Sequence, residues 1–274
     1  MSIPQAQNKI SCTPYGNGNG SPSAAAVRLP SNVKPITSPS NPFVKHCLKL
    51  RDSSSYRHTH GSTLVVGTTP IREIHNFQRS MPSSSTTMDC LFVLEKTKLP
   101  EELEELSVHM ICVSSAVMKR LSGMQSSESI EAIALMRIPK SFHNLDDPQS
   151  KADILNCFPS QHRILVLDGI QDPGNLGTLL RSAMAFGWGG AFLLPGCCDP
   201  FNEKAVRASR AASFQLPMVT GTWDHLIALR NEFQMRMLAG HPGSKCLSRR
   251  MSDSLADSLV CLVLGSEGRG LAHE

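Results

Sequence analysis

The sequence of 274 residues predicts an α/β protein in two parts, a small N-terminal α/β domain followed by a doubly covered parallel sheet. Three observations lead there. Apolar runs such as Ile164–Leu167 and Leu259–Leu264 are strand-sized and unbroken, as in strands covered on both faces. Segments with helical spacing separate those runs, and strand alternating with helix is the pattern of a parallel sheet. The length suits two domains at roughly 100–200 residues each.

Residues 1–37 are rich in Ser, Pro, Gly, Asn and Ala and contain no acid, so they bury too little apolar surface to offset their ordering entropy. They read as a disordered tail or as an organellar transit peptide, for chloroplast or mitochondrion, with a cytoplasmic protein as the remaining reading. Residues 38–138 form the small domain. Ser40 or Asn41 can cap a helix whose first turn holds Pro42, with Phe43, Val44, Cys47, Leu48 and Leu50 at helical spacing. Leu64–Val66 reads as a strand, Ile71–Phe77 as a short helix and Leu91–Leu94 as a strand. Pro100–Leu106 reads as an acidic helix, Met110–Val113 as a strand, Ser115–Ser122 as a helix and Ile130–Ile138 as a strand. Residues 139–161, with Pro139, Pro148 and Pro159 and weak periodicity, read as a linker. In residues 162–274, strands are expected at Ile164–Leu167, Ala191–Leu194, Gln215–Val219, Met235–Ala239 and Leu259–Leu264. Helices are expected around Leu176–Ala183, over Asn202–Ala212 and after the N-cap Thr222.

Hydrophobic residues make up 41% and charged residues 18%, ordinary globular usage. No apolar run approaches the roughly 18–20 residues of a membrane-spanning helix, so a soluble chain is expected. The net charge of +4 sits at the front: six of the 27 basic residues and none of the 23 acidic ones precede Asp52, leaving 21 against 23 in the rest. Any RNA binding must therefore use local basic patches. The nine cysteines have no repeating spacing and Cys197–Cys198 lack a C-x-x-C geometry, which favours reduced thiols and argues against a structural metal.

Open α/β sheets bind ligands beyond the carboxyl ends of their strands. Two loops there stand out: Asp168-Gly169-Ile170-Gln171-Asp172-Pro173-Gly174-Asn175, leading into a helix with Gly177 and Arg181, and Leu264-Gly265-Ser266-Glu267-Gly268-Arg269-Gly270. Each has a plain alternative. Gly174 and Gly177 could serve close packing, Asp172-Pro173-Gly174 is a turn-and-cap sequence, and the second loop reads G-x-x-G-x-G, the reverse of the dinucleotide fingerprint. Two such loops, each after a buried strand, favour a ligand cleft.

These residues carry a resemblance. Asp168–Ala183, with N-x-G-T-x-x-R at Asn175–Arg181, then Asn202–Ser209 and Leu262–Leu271 resemble the first and second motifs of the SpoU (TrmH) branch of the SPOUT RNA methyltransferases. The segment S-x-x-N-P-x-V-K at Ser38–Lys45, the Arg57…Gly61 spacing and Val113–Ile138 resemble that family's N-terminal substrate-binding domain. The resemblance implies methyl transfer from S-adenosylmethionine to a ribose 2′-hydroxyl of tRNA or rRNA. It also implies a homodimer and a SPOUT-type domain with a trefoil knot, an exception to unknotted topology. Arg181 matches the catalytic arginine, Asn175 the asparagine that positions it, and Glu267 the glutamate that orients the second loop. Leu264, Gly265 and Gly270 would contact the adenosine through backbone groups. A guanidinium stays protonated at neutral pH, so Arg181 would stabilise developing alkoxide charge rather than act as base.

Lys45, Arg51, Arg57 and His58 in the small domain, and Arg207 and Arg210 beside the cleft, are the candidate RNA contacts. Ser209-Arg210-Ala211-Ala212 stands where the family reads S-x-G-A, so the Ala211 methyl could crowd a close backbone approach. The family's third motif should follow beyond Gly270, whereas Glu274 is the last residue. The expectation is a C-terminally truncated form with weak or no activity, and the alternative function is a non-catalytic RNA-binding protein. A nucleotide-binding oxidoreductase is disfavoured, because no G-x-G-x-x-G follows the first strand of the second domain.

Overall fold

A computed structural model describes residues 35–80, 88–94, 103, 108–124, 132–145, 156–160, 162–240, 258–266, 268 and 270. In the small domain the chain runs α1 (Pro42–Asp52), α2 (Ser54–His60), β1 (Ser62–Val66), α3 (Thr68–Ser80), β2 (Met88–Leu94), β3 (His109–Val113), α4 (Ser115–Ser122) and β4 (Ala132–Arg137). Asn41 caps α1 as its side chain accepts from the Phe43 N–H, with Pro42 in the first turn. Ser114 caps α4, which ends on left-handed Gly123. The sheet order is β1-β4-β2-β3, antiparallel except for β2 with β3.

The second sheet has six parallel strands: β5 (Phe142–Asn144), β6 (Arg163–Asp168), β7 (Gly190–Leu193), β8 (Met218–Thr220), β9 (Arg236–Ala239) and β10 (Val260–Gly265), in the order β5-β8-β7-β6-β10-β9. Its helices are α5 (Pro173–Ala185), α6 (Glu203–Ala208) and α7 (Trp223–Glu232). Successive strand residues face opposite sides, so β6 sends Leu165 and Leu167 toward Leu176 and Leu180 of α5. It sends Ile164 and Val166 toward Leu226 and Leu229 of α7. The sheet is thus covered on both faces, as the apolar strands require.

The two sheets share a core. One face of the small sheet packs on α1 and α4. The other, with Val65, Leu91 and Met136, lies in one continuous cluster with Ile71 and Ile74 of α3 and with Leu176, Leu180 and Val206 of α5 and α6.

Three expected boundaries move. Order begins before Ser38: Ile36 is buried and its backbone bonds to Cys112 and Ser114 on the β3 side, so tertiary pairing overrides a tail-like composition. The span 139–161 is not a bare linker, because Phe142–Asn144 pairs in parallel with Met218–Thr220 and Phe158 is buried against Gly190. The expected helix over Asn202–Ala212 stops at Ala208, where Arg210 and Ala211 turn left-handed. The acidic helix at Pro100–Leu106, apart from buried Leu103, and the crossing expected to form the knot lie outside the described residues.

Candidate active site at the β6–β10 switch point

From β6 the chain leaves through α5 to β7 on one side, whereas β10 adjoins β6 on the other. This reversal is the crevice where α/β sheets bind ligands. Leu167 pairs with Leu264 and Asp168 with Gly265, so the two turns singled out in the sequence emerge side by side.

The first turn is built from local bonds. Gly169 takes φ 63, a left-handed value that glycine adopts without strain. Asp172 caps α5 by accepting from the Asn175 N–H at 2.8 Å, and Pro173 follows at the first helical position. The turn-and-cap reading of Asp172-Pro173-Gly174 is therefore correct, and it sets half-buried Asn175 at the head of α5. Cys197, which the sequence did not single out, braces the same turn: its Sγ donates to the Leu167 carbonyl at 3.2 Å and accepts from the Ile170 N–H at 3.4 Å. Burial pushes this thiol above its ordinary value, which suits a brace rather than a nucleophile. Gly177 serves packing, since a Cβ there would meet the Ala205 carbonyl oxygen, the Ala208 methyl and the Ser209 nitrogen of the α6 segment at 2.5–2.8 Å.

The second turn closes on itself where the Gly270 N–H donates to the Ser266 carbonyl at 2.9 Å. Gly270 has φ 70, and a Cβ at Gly268 or Gly270 would meet nothing within 4 Å among the described residues, so none of these crowds the backbone there. Leu264 and Gly265 are half-buried at the strand end. Gly240, beyond β9, donates its N–H to the Val263 carbonyl at 2.9 Å, and a Cβ there would meet the end of the Leu264 side chain at 2.7 Å. Glu267 lies outside the described residues.

Arg181 is exposed two turns along α5. It opens a groove of about 440 Å³ with Arg210 and Gln215 beyond α6, and with Glu73, Asn76 and Phe77 of α3. The small domain thus supplies one wall of the cavity that holds the candidate arginine. Arg207 is exposed but makes an i,i+4 ion pair with Glu203 at 3.4 Å. The concern over Ala211 takes a different form: its backbone sits at φ 66, a position that favours glycine, with the side chain fully buried.

The small-domain cations separate. Lys45 is exposed on α1. Arg51 is largely committed, to the Asp52 carboxylate at 2.9 Å and to the Arg120 and Leu121 carbonyls at the end of α4. Arg57 is only 2% exposed and binds the Asp199 carboxylate at 2.8 Å and the Leu50 carbonyl at 2.7 Å, so as an expected phosphate contact it is corrected to an internal tie. His58 reaches the same Asp199 at 3.3 Å. Burial opposes charge on Asp199, but a hydrogen bond and charge from His58, the Arg57 guanidinium and the Phe201 N–H outweigh it and hold the carboxyl at about 2.

The SpoU rRNA Methylase family profile matches residues 162–274. An uncharacterized tRNA/rRNA methyltransferase of Synechocystis sp. is 30% identical over 251 residues, 89% of this chain and 82% of that protein. The 23S rRNA (guanosine(2553)-2'-O)-methyltransferase RlmP of Bacillus subtilis is 27% identical over 187 residues, 68% of this chain and 65% of its own length. The fold matches the crystal structure of an AdoMet-bound rRNA methyltransferase from Sinorhizobium meliloti with a TM-score of 0.67 at 21% identity, over 87% of this chain and 83% of that one. With the motif-bearing turns paired at the switch point of a parallel sheet and a relative matched along most of both chains, this protein belongs to the SpoU methylase family.

Proposed function

We propose that this chain transfers a methyl group from S-adenosylmethionine to a ribose 2′-hydroxyl of tRNA or rRNA. The observation that carries the reading is the β6–β10 register, which sets the 169–172 and 266–270 turns together at the carboxyl edge of the sheet. The residues present fit the cofactor, because no described residue crowds Gly268 or Gly270, and glycine lets a ligand approach the backbone closely. Leu264, Gly265 and Gly270 would hold the adenosine. When bound, S-adenosylmethionine supplies a methyl group on a cationic sulfur.

The rest of the chemistry falls to side chains. A ribose hydroxyl is a poor acid and a weak nucleophile, so charge growing on its oxygen must be stabilised. The Arg181 guanidinium does this from the α5 groove, Asn175 orients substrate by hydrogen bonds, and Glu267 orients the second turn. Arg210 and Arg207 meet phosphates of the RNA, which position the strand. The reading includes a homodimer, its partner seated along α5, where Phe186 is left 75% exposed at the helix end. It also includes an organellar address, chloroplast or mitochondrion, carried by the acid-free residues 1–37.

Transfer of tritium from methyl-labelled cofactor to tRNA and rRNA tests this. Ribose methylation blocks alkaline cleavage, so label in alkali-resistant dinucleotides is the expected result. Label confined to bases, or no label in any RNA, overturns the proposal.

A further inference from the structure

We propose that the half-buried ring cluster on α1 and α2 is a docking surface for single-stranded RNA, distinct from the groove around Arg181. It rests on RNA being the partner, as the proposed function has it. The Tyr56 and His60 rings stack at 4.0 Å between centroids, 29° apart. His46 meets Tyr56 and His60 edge-on at 5.6 and 5.3 Å, with its Nδ1 2.9 Å from the Tyr56 hydroxyl. The Lys49 ammonium lies 5.7 Å from the centre of the Tyr56 ring, and exposed Lys45 stands one turn earlier on α1.

Three features make this more than a helix–helix seam. Helix α1 is anchored by Phe43, Val44, Cys47 and Leu50, all buried, whereas His46, Tyr56 and His60 are only half-buried: Tyr56 packs against that core and His46 stacks on Phe43 at 6.3 Å, with part of each ring left to solvent. Helical phase divides α2: Ser54, Arg57 and His58 reach Asp199, while Tyr56 and His60 turn to α1. Charge is one-sided, since Asp52 is the single carboxylate of α1 and α2 and it is paired with Arg51.

Adjacent aromatic faces rimmed by lysines match what an unpaired nucleotide presents, a π face and a phosphate. An acidic peptide would satisfy the lysines and leave the rings unused. A base stacked beyond His60 extends the His60–Tyr56 pair, with its flanking phosphates on Lys45 and Lys49.

The test is fluorescence anisotropy of the full chain with a labelled single-stranded oligouridylate, competed by unlabelled strand, by RNA duplex and by polyglutamate. His60→Ala is expected to weaken binding about tenfold and His60→Phe to restore it, because the phenyl ring keeps the stack. Lys45→Gln with Lys49→Gln should lower the slope of log affinity against log salt by about 1.4, for two single-strand phosphates. Unchanged binding in His60→Ala overturns the surface, as does an unchanged salt slope in the double lysine variant, and so does polyglutamate competing as well as unlabelled strand. Methyl transfer measured on the same preparations separates the two readings. Oligouridylate binding that depends on His60 without any transfer refutes the proposed function alone, whereas transfer with His60→Ala binding normally refutes the docking surface alone.

Discussion

Arg57 of α2 and Asp199 beyond β7 form an ion pair at 2.8 Å, with side chains only 3% and 6% exposed. The pair joins the small domain to the catalytic sheet. Ser54 donates to the same carboxylate at 2.8 Å, and Arg57 also donates to the Leu50 and Arg51 carbonyls near the end of α1. Removing one member of a buried pair strands the other, at a cost of about 3–5 kcal/mol. Ser54, His58 and the Phe201 N–H still serve Asp199, so Arg57→Met should destabilise by about 3 kcal/mol, read as a lower denaturant midpoint. Adding Asp199→Leu should recover part of the loss and not all of it, because the α1 carbonyls remain without their donor.

The same carboxyl sets an acid limit. Held at about 2 against an ordinary 3.8, Asp199 is charged more readily in the folded chain than in the unfolded one. Its contribution is therefore complete above pH 3.8 and is lost as pH falls from there toward about 2. The size is of order 2 kcal/mol. Asp199→Asn should flatten the stability profile across that window, measured by denaturation at successive pH values, whereas an unchanged slope would assign the acid loss to other groups.

Gly177 makes a prediction opposite to helix propensity. In an exposed helix, Gly→Ala gains up to about 1 kcal/mol. Here the added methyl meets backbone of the α6 segment at 2.5 and 2.8 Å, and backbone cannot swing aside as a flexible side chain can. Gly177→Ala should destabilise by about 1–3 kcal/mol and reduce methyl transfer, because α6 must shift together with Arg207 and Arg210. Thermal melting together with transfer assays checks both effects.

Legibility in the sequence followed how local each signal was. The Thr222 cap of α7, the span of α4 and the alternation around β6 depend on neighbouring residues, and all could be read directly. Helix α2 was missed because Ser54–His60 lacks an apolar stripe; a Ser53 cap and left-handed Gly61 hold it instead. Strand β5 was missed because three residues in a proline-rich stretch become a strand only when β8 offers its edge. Arg57 read as a phosphate contact because its partner lies 142 residues away, and no local pattern announces burial at that range. The candidate site was legible for a different reason: glycines and a helix cap mark turns by themselves, and the order of parallel strands then brings the turns together. Ala211 stands where the family resemblance implies glycine, and its backbone is left-handed, the conformation glycine adopts without strain.

Arg181 offers the sharpest separation between catalysis and structure. Its side chain is exposed and it lines the α5 groove, so replacing it should change stability by no more than about 0.5 kcal/mol. A group that stabilises charge only as it develops acts on the transition state, and losing one such donor slows reaction by about 10²–10³-fold. Arg181→Ala should therefore lower single-turnover methyl transfer by that factor while calorimetry shows cofactor affinity unchanged. Arg181→Lys keeps the charge and loses the planar fork, so an intermediate rate is expected. A helix-surface cation would behave otherwise, with both variants transferring methyl at the parent rate, and that result would remove Arg181 from the chemistry and leave Asn175, at the head of α5, as the group to test.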